Sequence, residues 1–220
     1  QEIHVVVTYN AAGEQVRIYH DGVLVGSGRA IHALSTLDDV NNWLGRSQFS
    51  GDSFADITYN EFRIYEGVLS GLQVAVHHAL GADQVVESIG EIQNFRLELD
   101  STEIPLAGLP VTVRALVDLP VVQNLEVTSL DEVSYRSSNE SVATISADGT
   151  VTPQGPGDAI LTANLNGSEA TVEVTVTGEQ TFLDIRHRYS FDESPDSLTV
   201  TDSIGEQHGT LFNTTGLSVF

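Results

Sequence analysis

Residues 41–65 read NNWLGRSQFSGDSFADITYNEFRIY. Two strand-like apolar cores, Trp43-Leu44-Gly45 and Phe62-Arg63-Ile64-Tyr65, bracket a polar loop that carries Asp52, Asp56 and Asn60. Just downstream, Leu69-Ser70-Gly71-Leu72-Gln73 has the form of a helix start. Ser70 and Gln73 stand at capping-box spacing, where each side chain satisfies an orphan donor of the first turn. Leu72, Val76 and Ala79 fall on one helical face, and Gly81 is placed to end the helix. The pair His77-His78 lies inside this segment. With no second ligand pair at helical spacing nearby, surface or edge histidines are expected there rather than a metal site.

Working back from that stretch, His4-Val5-Val6-Val7-Thr8-Tyr9 is a strand with a β-branched bias. The loop Asn10–Glu14 leads into a second strand, Gln15–His20, with Val16 and Ile18 on one face and Arg17 on the other. Asp21-Gly22 follows. A two-residue type I′ turn needs positive φ at both positions, which this pair tolerates. Val23-Leu24-Val25 then returns antiparallel.

These pieces resemble the later strands of a laminin-G-like jelly roll, the concanavalin A-like lectin fold. The segments His4–Tyr9 and Val16–Gly28 follow that family's hairpin nearly position by position. NWLGRS at 42–47, ITYNEFRIY at 57–65 and Leu69-Ser70 follow its later motifs in order and spacing. A closed jelly roll of two sheets needs roughly twice this length. The resemblance therefore implies that residues 1–81 are the C-terminal half of such a module, with the first half expected upstream of Gln1.

Residues 82–93 are acidic, lack a strand period and read as a linker. From Asn94 to Thr177, short alternating runs recur between turn signals, which argues for a β-sandwich. Phe95–Leu99 and Val111–Ala115 alternate. In the last strand Val172, Val174 and Val176 face inward, with a period of two. The run SSNESVATISADGTVTPQGPGDAILTANLNGSEATVEVTV, 137–176, resembles the bacterial immunoglobulin-like repeat of the invasin/intimin type. Tyr135 stands where that family carries Trp, and Glu140 where it carries Pro. The resemblance implies a spacer or adhesive module without chemistry. Residues 178–184 read as a second linker. Beyond them His187–Phe191 alternates, with Tyr189 and Phe191 on one face. Together with DSIGEQHGTL at 202–211, it resembles the opening of a second laminin-G-like domain, spanning 185–220. Alternatively, these strands complete the first module. The expected class is all-β: a partial jelly-roll sandwich, an Ig-like β-sandwich, and one short helix near 70–80.

Composition narrows the partners. The 220 residues carry a formal charge of -22, and all nine cationic side chains are Arg. Nucleic acid and anionic lipid both demand a basic footprint that such a field opposes. Without Cys there is neither a disulfide framework nor a thiolate zinc site. No apolar run approaches the roughly 20 residues of a membrane span. No nucleophile-elbow Gly-x-Ser-x-Gly, P-loop or His-Glu-x-x-His occurs, and both family resemblances imply a non-catalytic chain.

Calcium is the ligand that the resemblance implies. Carried over onto this sequence, it points to Asn60 in YNEFRIY and Asp202 in DSIG, each in a different module copy. A hard cation takes about six to eight oxygens, and Asn60 offers one oxygen without charge. The competing reading is that both residues bond their own loop backbone, and within this chain that reading is the favoured one. Trp43 is read as core rather than as a sugar-stacking platform. Asn-x-Ser/Thr at Asn139, Asn166 and Asn213 is given no weight, because the modules resemble bacterial ones. The expected protein is a segment of a large exported bacterial surface protein. Its lectin-like modules would bind a glycan or a cell-surface protein, and the Ig-like domain would space them. Two alternatives stand: an accessory region of a secreted polysaccharide-degrading enzyme, or a purely structural repeat.

Overall fold

In a computed structural model of the chain, the described residues are 2–36, 40, 43–47, 49–178, 186–194 and 197–210. Most of the second linker, the residues from 211 onward, and Asn41, Asn42 and Asn213 lie outside them. The chain divides into two units, Gln1–Glu179 and Gln180–Phe220. The architecture is all-β with a single short α-helix among the described residues. No helix is long and apolar enough to cross a membrane.

Strands β1 (Val5–Asn10), β2 (Gln15–His20) and β3 (Val23–Arg29) form an antiparallel sheet in that order. The Asp21-Gly22 turn has φ of 48° and 83°, the conformation that the dipeptide favours. A register shift at Ile18/Tyr19 marks an irregularity in the β2–β3 ladder. One face of the sheet turns inward with Thr8, Arg17 and fully buried Tyr19. The other presents Val5, Val7, Ile18, Val23 and Val25 to solvent.

Helix α1 (Gly71–Leu80) begins with the expected capping box: Gln73 N–H donates to Ser70 Oγ, and Ser70 N–H donates to the Gln73 side chain. Gly81, at φ 80°, ends it. The buried set differs from the expected one. Ala79 is exposed, while Leu72, Val74, Ala75, Val76 and His77 are buried. The helix is covered on more than one side, so a single amphipathic stripe does not describe it. Leu72, Ala75 and Val76 join the hydrophobic core of the sandwich that follows.

That sandwich is built from β4 (Asn94–Glu98), β5 (Glu103–Pro105), β6 (Val111–Thr112), β7 (Arg114–Leu119), β8 (Val122–Glu126), β9 (Val133–Ser137), β10 (Ala143–Ile145), β11 (Thr150–Pro153), β12 (Gly157–Leu165) and β13 (Ser168–Thr177). One sheet runs β5-β13-β12-β9, with β5 parallel to β13. A second runs β4-β7-β8, and a small third runs β10-β11-β6. Leu97, Ala115, Val117 and Leu119 from one sheet meet Leu161, Ala163, Leu165, Val174 and Val176 from another in a single buried cluster. The alternating run expected at 111–115 is two strands rather than one. The chain leaves the β11 partner at Val113 and continues beside β4 as β7. The Tyr135 hydroxyl donates to Thr128 O at 2.9 Å, so this aromatic plugs the core while its polar end is satisfied. Residues 82–93 hold no strand, and Ile89 and Ile92 pack against the same core.

The first sheet and the sandwich meet through the turn at Asp131-Glu132. Gly71 and Leu72 N–H donate to the Glu132 carboxylate at 2.6 and 3.1 Å, satisfying two orphan donors of α1 from outside the helix. Negative charge at a helix N-terminus is also favoured by the helix dipole. Arg17 of β2 pairs with Asp131 at 2.8 Å. Glu132→Ala is expected to lower stability by about 1–2 kcal/mol, read as a lower urea midpoint with an unchanged slope. Asp131→Ala should cost less, about 0–1 kcal/mol, because its partner is solvent-accessible.

The second unit holds a short ladder of β14 (Thr199–Val200) with β15 (Gly209–Thr210) and an isolated bridge from Tyr189 to Asp202. The strand expected at 187–191 does not form. Phe191 takes φ 55°, which breaks the extension, and its side chain is exposed.

Candidate functional site

The described residues of the segment 43–69 lie on the surface of the first unit. The strands expected at 43–45 and 62–65 are absent, because no neighbouring strand among the described residues offers their backbone a ladder. Ile64 is 85% exposed and Phe62 62%. Trp43, expected in the core, is 42% exposed. Its ring is covered by Arg46, whose Cζ stands 4.4 Å from the ring centroid and 5.8 Å from that of Phe54. Cation–π contact of this kind is worth about 0.5–1 kcal/mol at exposed sites. Trp43, Arg46 and Phe54 thus form a stacked group open to solvent. A shallow depression of about 240 Å³ lies at the end of the sheet, lined by Tyr9, Val16, Arg29, Ala30, Ile31 and His32. Arg29 is held there by an ion pair with Glu14.

Asn60 and Asp202 fall in separate units. The Asn60 amide donates to Glu2 Oε1 at 2.8 Å. The Asp202 side chain is fully buried. Its Oδ1 accepts from the backbone N–H of Arg188, Ile204 and Gly205 at 2.9, 3.2 and 3.0 Å, and its Oδ2 lies 2.5 Å from His187 Nδ1. Burial alone would raise its pKa. The hydrogen bonds from Arg188, His187, Gly205 and Ile204 outweigh that and hold the carboxyl well below the usual carboxylate range. Here the carboxylate acts as the pin of a turn. Its Oδ1 accepts three N–H groups and its Oδ2 faces His187, and no group of three or more His, Asp or Glu among the described residues is arranged to hold a metal. Ca²⁺ is therefore expected to leave the melting temperature of this chain unchanged; a rise on adding Ca²⁺, reversed by a chelator, would contradict the turn-pin assignment.

His77 is buried rather than at the surface, because α1 is covered by both the sheet and residues 61–65. Its ring lies 5.4 Å from that of Tyr65. The ring of His78 stacks on that of His4 at 5.6 Å. Sequence reasoning missed this grouping, since His4 is more than seventy positions away. The signal available was the presence of His beside both the first strand and the helix.

Residues 3–75 match the Laminin_G_3 family model, the concanavalin A-like lectin/glucanases superfamily. This span covers β1 to β3, the stacked aromatic group and the first half of α1. An α-L-arabinofuranosidase of Bifidobacterium longum subsp. longum is 29% identical over 147 residues, which are 65% of this chain and 12% of that protein. Two solved S-layer structures, rSbsC(31-844) and SbsC domains 1–6, are each 20% identical. They align with TM-scores of 0.31 and 0.32 over 41% of this chain and 15% of theirs. The chain thus spans a small part of each of these proteins.

Proposed function

We propose that this chain is a non-catalytic binding region of a larger exported bacterial protein. Its lectin-like part would contact a glycan or a cell-surface protein, and the 94–177 sandwich, read as an Ig-like module, would space it from neighbouring domains. Residues 185–220 would open a second lectin-like module. The match of 3–75 to the concanavalin A-like superfamily carries this reading. The open aromatic group of Trp43, Arg46 and Phe54 and the depression beside Tyr9 supply the mixed apolar and polar surface that a sugar ring needs. A structural calcium ion belongs to this proposal only in complete modules, where other oxygens could join Asn60 or Asp202.

The relative that is an α-L-arabinofuranosidase favours a second reading, an accessory region of a secreted polysaccharide-degrading enzyme. A glycan array probed with a complete module, with and without Ca²⁺, separates the readings. Selective binding to α-L-arabinofuranosyl oligosaccharides supports the accessory reading. Binding to other, host-type glycans supports adhesion. A blank array in both conditions would overturn glycan binding and leave a cell-surface protein contact or a purely structural repeat.

A further inference from the structure

Three histidines, His4, His77 and His78, lie where the first sheet meets α1. His4 precedes β1, His20 ends β2, and His77 and His78 lie in α1. The Asp21-Gly22 turn comes so close to the helix that a Cβ at Gly22 would stand 3.3 Å from His78 and 3.4 Å from the Ala75 backbone. His4 N–H donates to Asp21 Oδ1 at 2.8 Å, fixing the start of β1 to that turn. Two ring nitrogens, His4 Nδ1 and His77 Nδ1, are buried with no hydrogen-bond partner among the described residues.

The charges around these rings are mostly unfavourable to an added proton. Residues 61–65 bring Arg63 and Tyr65 over the helix. Arg63 is paired with Glu61 and also donates to Ala82 O. The sheet side brings Asp21, with His20 at 3.6 Å from its carboxylate. The sandwich contributes Asp131 and Glu132, which are already engaged with Arg17 and the α1 N-terminus. Only Asp21 favours a proton on His4 among the groups acting on it. Burial, His78, His77 and Arg63 all oppose it, and the net effect lowers its pKa. Burial, then Arg63, lower that of His77.

We propose that the His4, His77 and His78 contact is an acid-released latch holding the β1–β3 sheet on α1. A proton added to His4 or His77 needs an acceptor and solvation that the docked interface does not provide, and at His4 burial, His78, His77 and Arg63 together outweigh Asp21. Releasing the sheet provides both, as water. Because the docked state keeps these imidazoles neutral, its stability is complete above the ordinary imidazole value of about 6.5 and falls as the pH drops below it. Asp21 works in a lower window, since the hydrogen bond from His4 N–H holds its carboxyl below the ordinary carboxylate value. Helix α1 stays behind on the sandwich, held by Leu72, Ala75, Val76 and Glu132. Acid thus converts a fixed junction into a hinged one and bares the inner face that carries Tyr19.

Hydrogen–deuterium exchange on the full chain at about pH 7.5 and pH 5.0, corrected for intrinsic rates, tests the latch. Each imidazole that must stay neutral lowers the docking constant by up to about 30-fold at pH 5.0. The expected result is a loss of protection of about tenfold or more in β1–β3, with β12 and β13 unchanged. In His4→Gln/His77→Gln, which cannot take up these protons, the loss should vanish. Equal protection of β1–β3 at both values, or the same loss in the double variant, overturns the proposal. If that variant does not fold, NMR titration of the natural chain decides. Midpoints for His4 and His77 below the ordinary value support the latch, and midpoints at or above it overturn it.

Discussion

Val76→Asp is expected to destabilise the first unit by about 4 kcal/mol or more, enough to abolish a cooperative native baseline. Val76 is 0% exposed and belongs to the core cluster shared by α1 and the sandwich. A carboxylate there would find no cation within the cluster, which is built of aliphatic side chains. An unpaired buried charge costs far more than a lost methyl group, and the chain escapes by undocking α1 or unfolding. Far-UV circular dichroism against urea is the measurement. The same substitution at exposed Ala79, one turn along, should change stability by no more than about 0.5 kcal/mol. If Ala79→Asp were as damaging as Val76→Asp, helix propensity rather than docking would be responsible.

Leu161→Ala carries the next largest expected effect, a loss of about 3 kcal/mol. Leu161 lies in β12 between Ser137 of β9 and Val172 of β13, and its side chain is fully buried. Strands on both sides hold its backbone in place, so the cavity cannot close by local collapse. For a unit of this size, the melting temperature should fall by about 6–12 °C. Ile160, the next residue along, faces outward and is half exposed. Ile160→Ala should therefore cost much less, and equal losses at the two positions would show that the strand register differs from the one described.

How much of this was legible in the sequence depended on the range of the determining interaction. Asp21-Gly22, the Ser70/Gln73 capping box and Gly81 act within a few residues, and each appears as read. The period-two pattern of β13 also held, because Val174 and Val176 are buried by a sheet directly opposite. What escaped were features set by distant partners. Nothing local at Val113 announces that the chain changes sheets there. Trp43 reads as core by type, yet no second layer covers it among the described residues, and Arg46 does so instead. The buried state of His77 follows from the sheet and residues 61–65 closing over α1. Which N–H groups the Asp202 Oδ1 accepts is likewise set by the folded turn, with one reaching across from Arg188.

The parallel pairing of β5 with β13 has a mechanical consequence. Leu106 N–H donates to Thr177 O and Thr175 N–H donates to Thr102 O, both at 2.8 Å, and between them Thr175, Val176 and Thr177 run alongside Glu103, Ile104 and Pro105 in the same direction. A tensile load entering at the start of β5 and leaving at the end of β13 would slide these strands past one another along their length. The rungs would then share the force in shear instead of opening one by one like a zip. Under such a load the pairing is expected to resist until its rungs fail together.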